Sequence, residues 1–201
     1  MMNKPKIILA SGSSARAEML RGCGLGFDII PADIDEKKIL QDMQSKELKP
    51  DQIATALASE KAAAISATNR DALVIGSDQI LVCDHRIFSK ARDLNEAKDK
   101  LKTLRGKTHK LISAACLIQN GEVLWTHTEA ANLTMHNFND EFLDIYCDKA
   151  GNALTDCVGS YALEEAGSWL FSKTRGDYFT ILGMPLLPLL NYLREEQGIM
   201  P

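Results

Sequence analysis

The sequence predicts an α/β protein with a mixed β-sheet flanked by helices. Short runs of aliphatic and β-branched residues, such as Leu73–Val82, alternate along the chain with stretches of helical periodicity. The Asn120-Gly121 pair stands between two further strand-like runs and is typical of an antiparallel hairpin. Parallel and antiparallel pairing are therefore both expected.

The first half of the chain contains three predicted strands and two predicted helices. In order they are a strand at Lys6–Ala10, a helix from about Ala15 to Cys23, a strand at Phe27–Ile30, a helix from about Asp51 to Thr68 and the strand Leu73–Val82. Serines at Ser11–Ser14 suit a helix N-terminus, and glycines end the first helix. The charged stretch Pro31–Pro50 is expected to be a loop with at most one short helix.

The second half is expected to interleave strands and helices in the same way. Its predicted elements are a short hairpin strand at Ile87-Phe88, a helix over Asn95–Leu104, strands at Lys110–Gln119 and Glu122–Met135, a helix from Asn139 to about Asp148, short strands at Trp169–Phe171 and Tyr178–Ile181, and a last helix from Gly183 to about Arg194. The segment Gly159–Gly167 is expected to be irregular.

Length and composition indicate one soluble globular domain over residues 1–201, or one domain with two lobes, with 45% hydrophobic and 25% charged residues. The formal net charge of −4 and the lack of a basic stripe with aromatic residues disfavour a nucleic-acid partner. No apolar run approaches the roughly 20 residues that span a bilayer, and Met1–Lys6 contain no hydrophobic leader. A cytoplasmic protein without a membrane partner is expected.

The cysteines and histidines do not suggest a disulfide framework or a histidine metal site. The five cysteines are odd in number and show no paired spacing, which favours reduced, buried thiols. The four histidines show no grouping that suits metal ligation.

Asp78 is a carboxylate inside the apolar run Leu73–Val82, next to Ser77 and Gln79. A buried carboxylate is costly unless it is paired, hydrogen-bonded or bound to a metal, so one interpretation is a functional group in a buried strand. The other is that the strand ends at Gly76 and Asp78 lies in a solvated turn. The local pattern does not choose between them.

The turn Ser11–Arg16 joins a strand to a helix and could hold a phosphate. Free backbone N–H groups and the helix dipole favour an anion there, Ser11 and Ser13 can donate from their hydroxyls, and Arg16 lies in the first helical turn. The turn has neither a Walker A nor a dinucleotide fingerprint. From this segment alone, an ordinary turn with a surface arginine is the better explanation.

Lys61 falls in register with the apolar residues Ile53, Leu57 and Ile65, which places it on the inward face of its helix. The alternative is a lysine whose stem lies along the helix while its ammonium reaches water. Two other charged candidates have simpler explanations, because Lys90 lies in a charged loop and Glu36 in an acidic loop. Glu164 lies in a segment rich in Gly and Ala, where a charged residue has little helix to belong to. Together, one semi-buried carboxylate, a helix N-terminus and several cations suit phosphoanhydride chemistry.

Six motifs in order resemble those of the Maf family of nucleoside triphosphate pyrophosphatases, over nearly the whole chain. They are Ser11–Leu20 for the family's S-x-S-P-R-R-x-E-L-L, Glu60–Ala62 for E-K-A, Gly76–Gln79 for G-[AS]-D-[TQ], Lys90–Asp93 for K-P-x-[DT], Gly106–His109 for G-x-x-H, and Gly183–Leu186 for G-[LM]-P-L.

This resemblance implies a two-lobed α/β fold like that of inosine-triphosphate pyrophosphatases, with a cleft between the lobes. The implied reaction cleaves a nucleoside triphosphate between its α and β phosphates with Mg²⁺ or Mn²⁺ as cofactor. Asp78 corresponds to the family's proton acceptor, and Asp78 and Glu36 to positions associated with the metal. The implied substrate contacts are Ser11, Ser13, Arg16, Lys61, Gln79, Lys90 and Glu164.

The chain departs from the family motifs at three positions. Ser14 and Ala15 replace a proline and the first arginine of the family pair, and Ala91 replaces a proline. One triphosphate contact is therefore absent. Gln79 and Glu164 resemble the branch that cleaves 7-methyl-GTP, whereas the dTTP/UTP branch usually has threonine and glutamine at these places.

Two functions remain open from the sequence. The first is a house-cleaning enzyme that removes modified or non-standard nucleotides. The second is a nucleotide-binding inhibitor of septum formation and cell division with weak or no catalysis, which the loss at Ala15 supports. The presence of Asp78, Lys61 and Lys90 favours the enzyme. A homodimer is a further expectation from the resemblance.

Overall fold

The structure is a computed structural model that describes residues 5–201. The strands are β1 (Ile7–Leu9), β2 (Asp28–Ile29), β3 (Leu73–Cys83), β4 (Arg86–Phe88), β5 (Thr108–Gln119), β6 (Glu122–Met135) and β7 (Phe171–Arg175). The helices are α1 (Ser14–Gly22), α2 (Glu36–Ser45), α3 (Pro50–Ser66), α4 (Leu94–Leu104), α5 (Asp140–Ala150), α6 (Ala153–Asp156), α7 (Tyr178–Leu182) and α8 (Leu186–Gln197). The prediction of no hydrophobic leader falls largely on Met1–Lys4, which lie outside the described residues.

The chain forms two compact units, and the α/β class with a mixed sheet is confirmed. The first unit contains the described residues up to Gln79, Ser113–Glu129 and Gly183–Pro201; the second contains Ile80–Ile112 and Ala130–Leu182. In the first unit β1 pairs in parallel with both β2 and β3. In the second unit β4 is antiparallel to β3, and β7 is antiparallel to β6.

Gly76 brings α3 close to β3 in the first unit. A Cβ at Gly76 would lie 2.0 Å from the carbonyl oxygen of Ala58 and 2.8 Å from the Cβ of Ala62. Because no side chain larger than hydrogen fits, the glycine allows the helix backbone to approach the strand. The turn of α3 that contains Lys61 therefore lies against the part of β3 that contains Asp78.

The second unit has an apolar core built from the end of β3 and from α4, α5 and β6. Leu81, Leu101, Leu104 and Leu133 are fully buried in it. Its buried polar side chains include Lys100, on α4, and His109, whose Nε2 lies 2.6 Å from the hydroxyl oxygen of Tyr161.

The predicted strand at Tyr178–Ile181 is wrong, because this segment lies in α7. The Asp177 carboxylate accepts a hydrogen bond from the backbone N–H of Thr180 at 3.0 Å, which caps the helix N-terminus. This cap outweighs the strand propensity of the aromatic and β-branched residues. Trp169 and Leu170 were also predicted in a strand, but they lie in a short 3₁₀ helix, Ala166–Leu170, and β7 begins only at Phe171.

The stretch Pro31–Pro50 is more ordered than predicted, because it contains the ten-residue helix α2. The Asp35 carboxylate accepts from the N–H of Lys38 at 3.0 Å and caps this helix. The predicted hairpin is confirmed: Asn120 and Gly121 have φ angles of 52° and 79°, as a tight turn of this kind requires.

The five cysteines are free thiols, and Cys83, Cys116 and Cys147 are buried. Within residues 5–201, every helix is too short or too polar to traverse a lipid bilayer.

Candidate functional site

Asp78 lies in the middle of β3, which continues past Gly76 as far as Cys83. Its side chain belongs to the buried interior, with only 6% of the residue exposed. The interpretation of Asp78 as a residue of a solvated turn is therefore wrong, and the buried-strand interpretation is confirmed.

Lys61 pairs with Asp78 inside the first unit. Its Nζ lies 2.6 Å from Asp78 Oδ1, and the residue is only 7% exposed. The neighbouring positions of the helical series, Ile53, Leu57 and Ile65, are buried as well, so the inward register is confirmed. The ammonium does not reach water along the helix but neutralises the buried carboxylate.

The protonation of Asp78 depends on two opposing effects. Burial raises the pKa of its carboxyl, and the positive charges of Lys61 and Arg16 oppose that rise without cancelling it. The ionised carboxylate is consequently a stronger proton acceptor than a solvated aspartate.

Glu36 is the first residue of α2, not a loop residue as predicted. Its side chain is exposed, and its Oε1 lies 3.0 Å from Lys61 Nζ. The Lys61 ammonium therefore contacts two carboxylates, one buried and one at the surface.

The turn before α1 has the features of an anion site. Ser13 caps the helix by accepting from the N–H of Arg16 at 3.5 Å. Ser11 is buried, and its Oγ accepts from Arg16 Nη1 at 3.0 Å and from the N–H of Ser13 at 3.3 Å. Because this oxygen accepts two hydrogen bonds, its own hydrogen is what it can offer a ligand. Ala15, which replaces an arginine of the family motif, contributes no charge here.

Two residues near the site were not predicted to act in it: Gly183 and Ser77. Arg16 Nε donates to the carbonyl oxygen of Gly183 at 2.9 Å, and Ser77 Oγ donates to the same oxygen at 3.0 Å. Gly183 has φ = +112°, which favours glycine. The only sequence signals were the glycine of the closing G-[LM]-P-L motif and the position of Ser77 beside Asp78.

Gln79 follows Asp78 in β3 and is partly buried. Its Nε2 donates to Ser113 Oγ at 3.0 Å, on the neighbouring strand β5. This bond holds the amide group at a defined position on the sheet.

Lys90 and Glu164 belong to the second unit, and both are exposed. Each acts electrostatically on the thiol of Cys157. Burial, aided by Glu164 and opposed by Lys90, raises the pKa of that thiol to about 11.

Lys100 is a buried lysine that sequence reasoning missed. Its Nζ donates to the carbonyl oxygens of Ser89 at 2.6 Å and Val158 at 3.0 Å. These residues directly precede Lys90 and follow Cys157, so Lys100 ties the two segments together. Burial lowers the pKa of Lys100 to about 8.

The carboxylates of Asp78 and Glu36 are the donors that could hold a divalent cation. Within residues 5–201, no group of three or more histidine, cysteine, aspartate or glutamate side chains is arranged for a metal ion. Mg²⁺ is commonly held by one or two carboxylates together with substrate phosphates. A pair of carboxylates that already shares one cationic group fits that mode of binding.

Comparisons with known proteins find similar sequences over nearly the whole chain. A family model described as Maf-like protein matches residues 6–196. A nucleoside triphosphate pyrophosphatase of Paramagnetospirillum magneticum is 47% identical over 96% of this chain and 100% of its own length, and one of Granulibacter bethesdensis is 45% identical over 96% and 98%. A 7-methyl-GTP pyrophosphatase of Rhizobium meliloti is 44% identical over 98% of each chain.

Proposed function

This chain belongs to the Maf family, and on that premise we propose that it is a nucleoside triphosphate pyrophosphatase. It hydrolyses the anhydride between the α and β phosphates and releases a nucleoside monophosphate and pyrophosphate. The observation that carries this proposal is the buried Asp78 carboxylate, 2.6 Å from the Lys61 ammonium and within electrostatic reach of Arg16. Asp78, as a base that activates water, and Lys61 and Arg16, as cations that bind a polyphosphate, thus belong to one cluster.

Asp78 is the general base of this reaction. Its ionised carboxylate takes a proton from a water molecule, whose oxygen attacks the α phosphorus. The new oxygen–phosphorus bond forms as the bond to the α–β bridging oxygen breaks, and that oxygen leaves with pyrophosphate. Because burial raises the pKa of Asp78, it holds the transferred proton more strongly than a solvated carboxylate would.

The phosphates bind where the positive groups converge. Lys61 and Arg16 contribute full charges, Ser11 donates from its hydroxyl, and the N-terminus of α1 adds the partial charge of its free N–H groups. The hydrogen bonds of Arg16 to Gly183 and Ser11 hold its guanidinium in place before substrate arrives. This preorganisation favours a charged transition state.

We propose Mg²⁺ or Mn²⁺ as the cofactor, held by Asp78 and Glu36. When bound, a divalent cation neutralises phosphate charge. Carboxylate oxygens are suitable donors for both ions.

We propose 7-methyl-GTP as a preferred substrate, with Gln79, Lys90 and Glu164 as further contacts. The glutamate can accept hydrogen bonds from a guanine edge or lie near the positive charge of the methylated base. The relative from Rhizobium meliloti supports this choice by its name, whereas the more similar relatives have the broader name.

A panel of triphosphates tests activity and preference together. Pyrophosphate release from 7-methyl-GTP, GTP, dTTP and UTP is measured with Mg²⁺ and with Mn²⁺. We expect the highest kcat/KM for 7-methyl-GTP and a roughly tenfold loss of that preference in Glu164→Gln, because a charged hydrogen bond is lost. Glu165→Gln, the exposed neighbour, is the control and should keep the preference.

The panel also separates the two proposals. A clear preference for dTTP and UTP would overturn the 7-methyl-GTP assignment alone. Release at background for every triphosphate would overturn the enzyme itself and leave the cell-division role. That role, the homodimer and the cytoplasmic location remain predictions.

A further inference from the structure

We infer that Lys61 is an internal counter-ion that occupies the metal position while the protein is free of nucleotide. Its ammonium sits between Asp78 and Glu36, and it leaves that place for the substrate phosphates when a nucleotide binds with its metal. This inference rests on the proposed function of the same site.

The contacts of Lys61 are those of a cation shared by two ligands. Its Nζ lies 2.6 Å from Asp78 Oδ1 and 3.0 Å from Glu36 Oε1. A divalent cation held by the same two oxygens would lie within a few ångströms of the ammonium, where two like charges repel strongly. The ammonium and the metal therefore compete for the carboxylates.

Burial explains why Lys61 stays in place until another cation replaces it. Lys61 is 7% and Asp78 6% exposed, and removal of one partner would leave the other as an uncompensated buried charge. The triphosphate supplies Lys61 with new anionic partners at the moment when the carboxylates gain the metal. Metal and nucleotide binding are then mutually dependent, and each raises the affinity for the other.

Glu36 is the accessible part of this exchange. It lies at the exposed start of α2, whereas Asp78 is buried in β3. Glu36 can accompany either cation without a large desolvation cost, because its carboxylate remains in contact with water.

Mn²⁺ binding to the nucleotide-free protein tests the inference without reference to catalysis. At a mildly alkaline pH, chosen so that Asp78 is ionised in both proteins, we expect weak binding in the wild type and at least about tenfold tighter binding in Lys61→Gln, because the competing charge is gone. Lys38→Gln is the matched control: it removes one positive charge from an exposed residue of α2 and should change the affinity less than about twofold. Equal affinity in the wild type and Lys61→Gln would overturn the inference.

Double variants test whether the metal binds at Asp78 and Glu36. The gain in Lys61→Gln should disappear when Glu36→Gln or Asp78→Asn is added. A gain that persists in both double variants would mean that the metal binds elsewhere, which would also overturn the inference. Pyrophosphate release by the wild type tests the proposed function separately, so failure of one does not imply failure of the other.

A measurement on the wild type is decisive should Lys61→Gln not fold. The Lys61 side-chain ammonium is followed by ¹⁵N NMR and assigned with Lys61→Arg, which keeps the charge. Mg²⁺ alone should leave the signal unchanged, whereas Mg²⁺ with a non-hydrolysable triphosphate should shift it. A shift with Mg²⁺ alone, or none with both, would contradict the exchange.

Discussion

Arg16 Nε lies 2.9 Å from the carbonyl oxygen of Gly183, 167 positions later in the chain. The last motif of the sequence thus positions the arginine of the first. Ser77, next to the proposed base, donates to the same carbonyl oxygen, so one peptide group connects the turn Ser11–Arg16 to β3.

Gly183→Ala should impair substrate binding as well as folding. The φ of +112° strains any residue with a Cβ, and that Cβ would lie 3.4 Å from Arg16 Nε. We expect a loss of about 1–2 kcal/mol in the free energy of unfolding and a several-fold rise in KM for the triphosphate. Gly198→Ala is the control, since Gly198 also has positive φ but a Cβ there would meet no atom within 4 Å. An equal KM in both variants would rule out a role of Gly183 in positioning Arg16.

The pH dependence of kcat/KM should reflect Asp78. A general base acts only when ionised, and burial raises the pKa of Asp78, so activity should fall with decreasing pH at a higher pH than an ordinary carboxyl, about 4, would produce. Asp78→Asn should lower kcat by about 10²- to 10⁴-fold. The exposed Asp42→Asn should retain both rate and profile. Full activity in Asp78→Asn would show that Asp78 is not the general base.

His109 should make the protein less stable in mild acid. Burial lowers the pKa of His109 from 6.5 to about 4. Between these two pH values the imidazole is protonated in the unfolded chain but stays neutral in the folded protein, which lowers the free energy of unfolding. The free energy of unfolding should therefore fall by roughly 3 kcal/mol between pH 6.5 and pH 4. Urea unfolding at several pH values measures it. His109→Gln should flatten this dependence, and the exposed His136→Gln should not; equal slopes in both would exclude His109 as the cause.

Lys100→Met should affect the segment that contains Lys90. The variant loses the donors to Ser89 and Val158, and we expect it to lower the free energy of unfolding by about 2 kcal/mol. KM for the triphosphate should rise while kcat changes less, because Lys90 is misplaced but Asp78 is not touched. Lys102→Met, on the exposed side of the same helix, should leave KM unchanged. A fall in kcat alone would contradict this positioning role.

Short-range pattern in the sequence predicted much of the fold. The four-residue spacing that includes Lys61 reports which face of a helix is buried, and Asn120-Gly121 reports a turn that few other residue pairs allow. The predicted strand at Tyr178–Ile181 is wrong because the capping bond of Asp177 favours a helix against the strand propensity of the side chains. The prediction that Glu36 lies in a loop is wrong for a similar reason, because the capping bond of Asp35 favours a helix in this charged stretch.

The sequence by itself therefore determined which residues face the interior, which turns are tight and in which order the motifs occur. Only the tertiary structure decided which inward residues meet. Periodicity places Lys61 on a buried face, but its pairing with Asp78 depends on the close approach of α3 to β3 at Gly76. The contact of Arg16 with Gly183 depends likewise on packing between distant segments. Local pattern responds to burial, whereas partner choice is set by how whole elements pack.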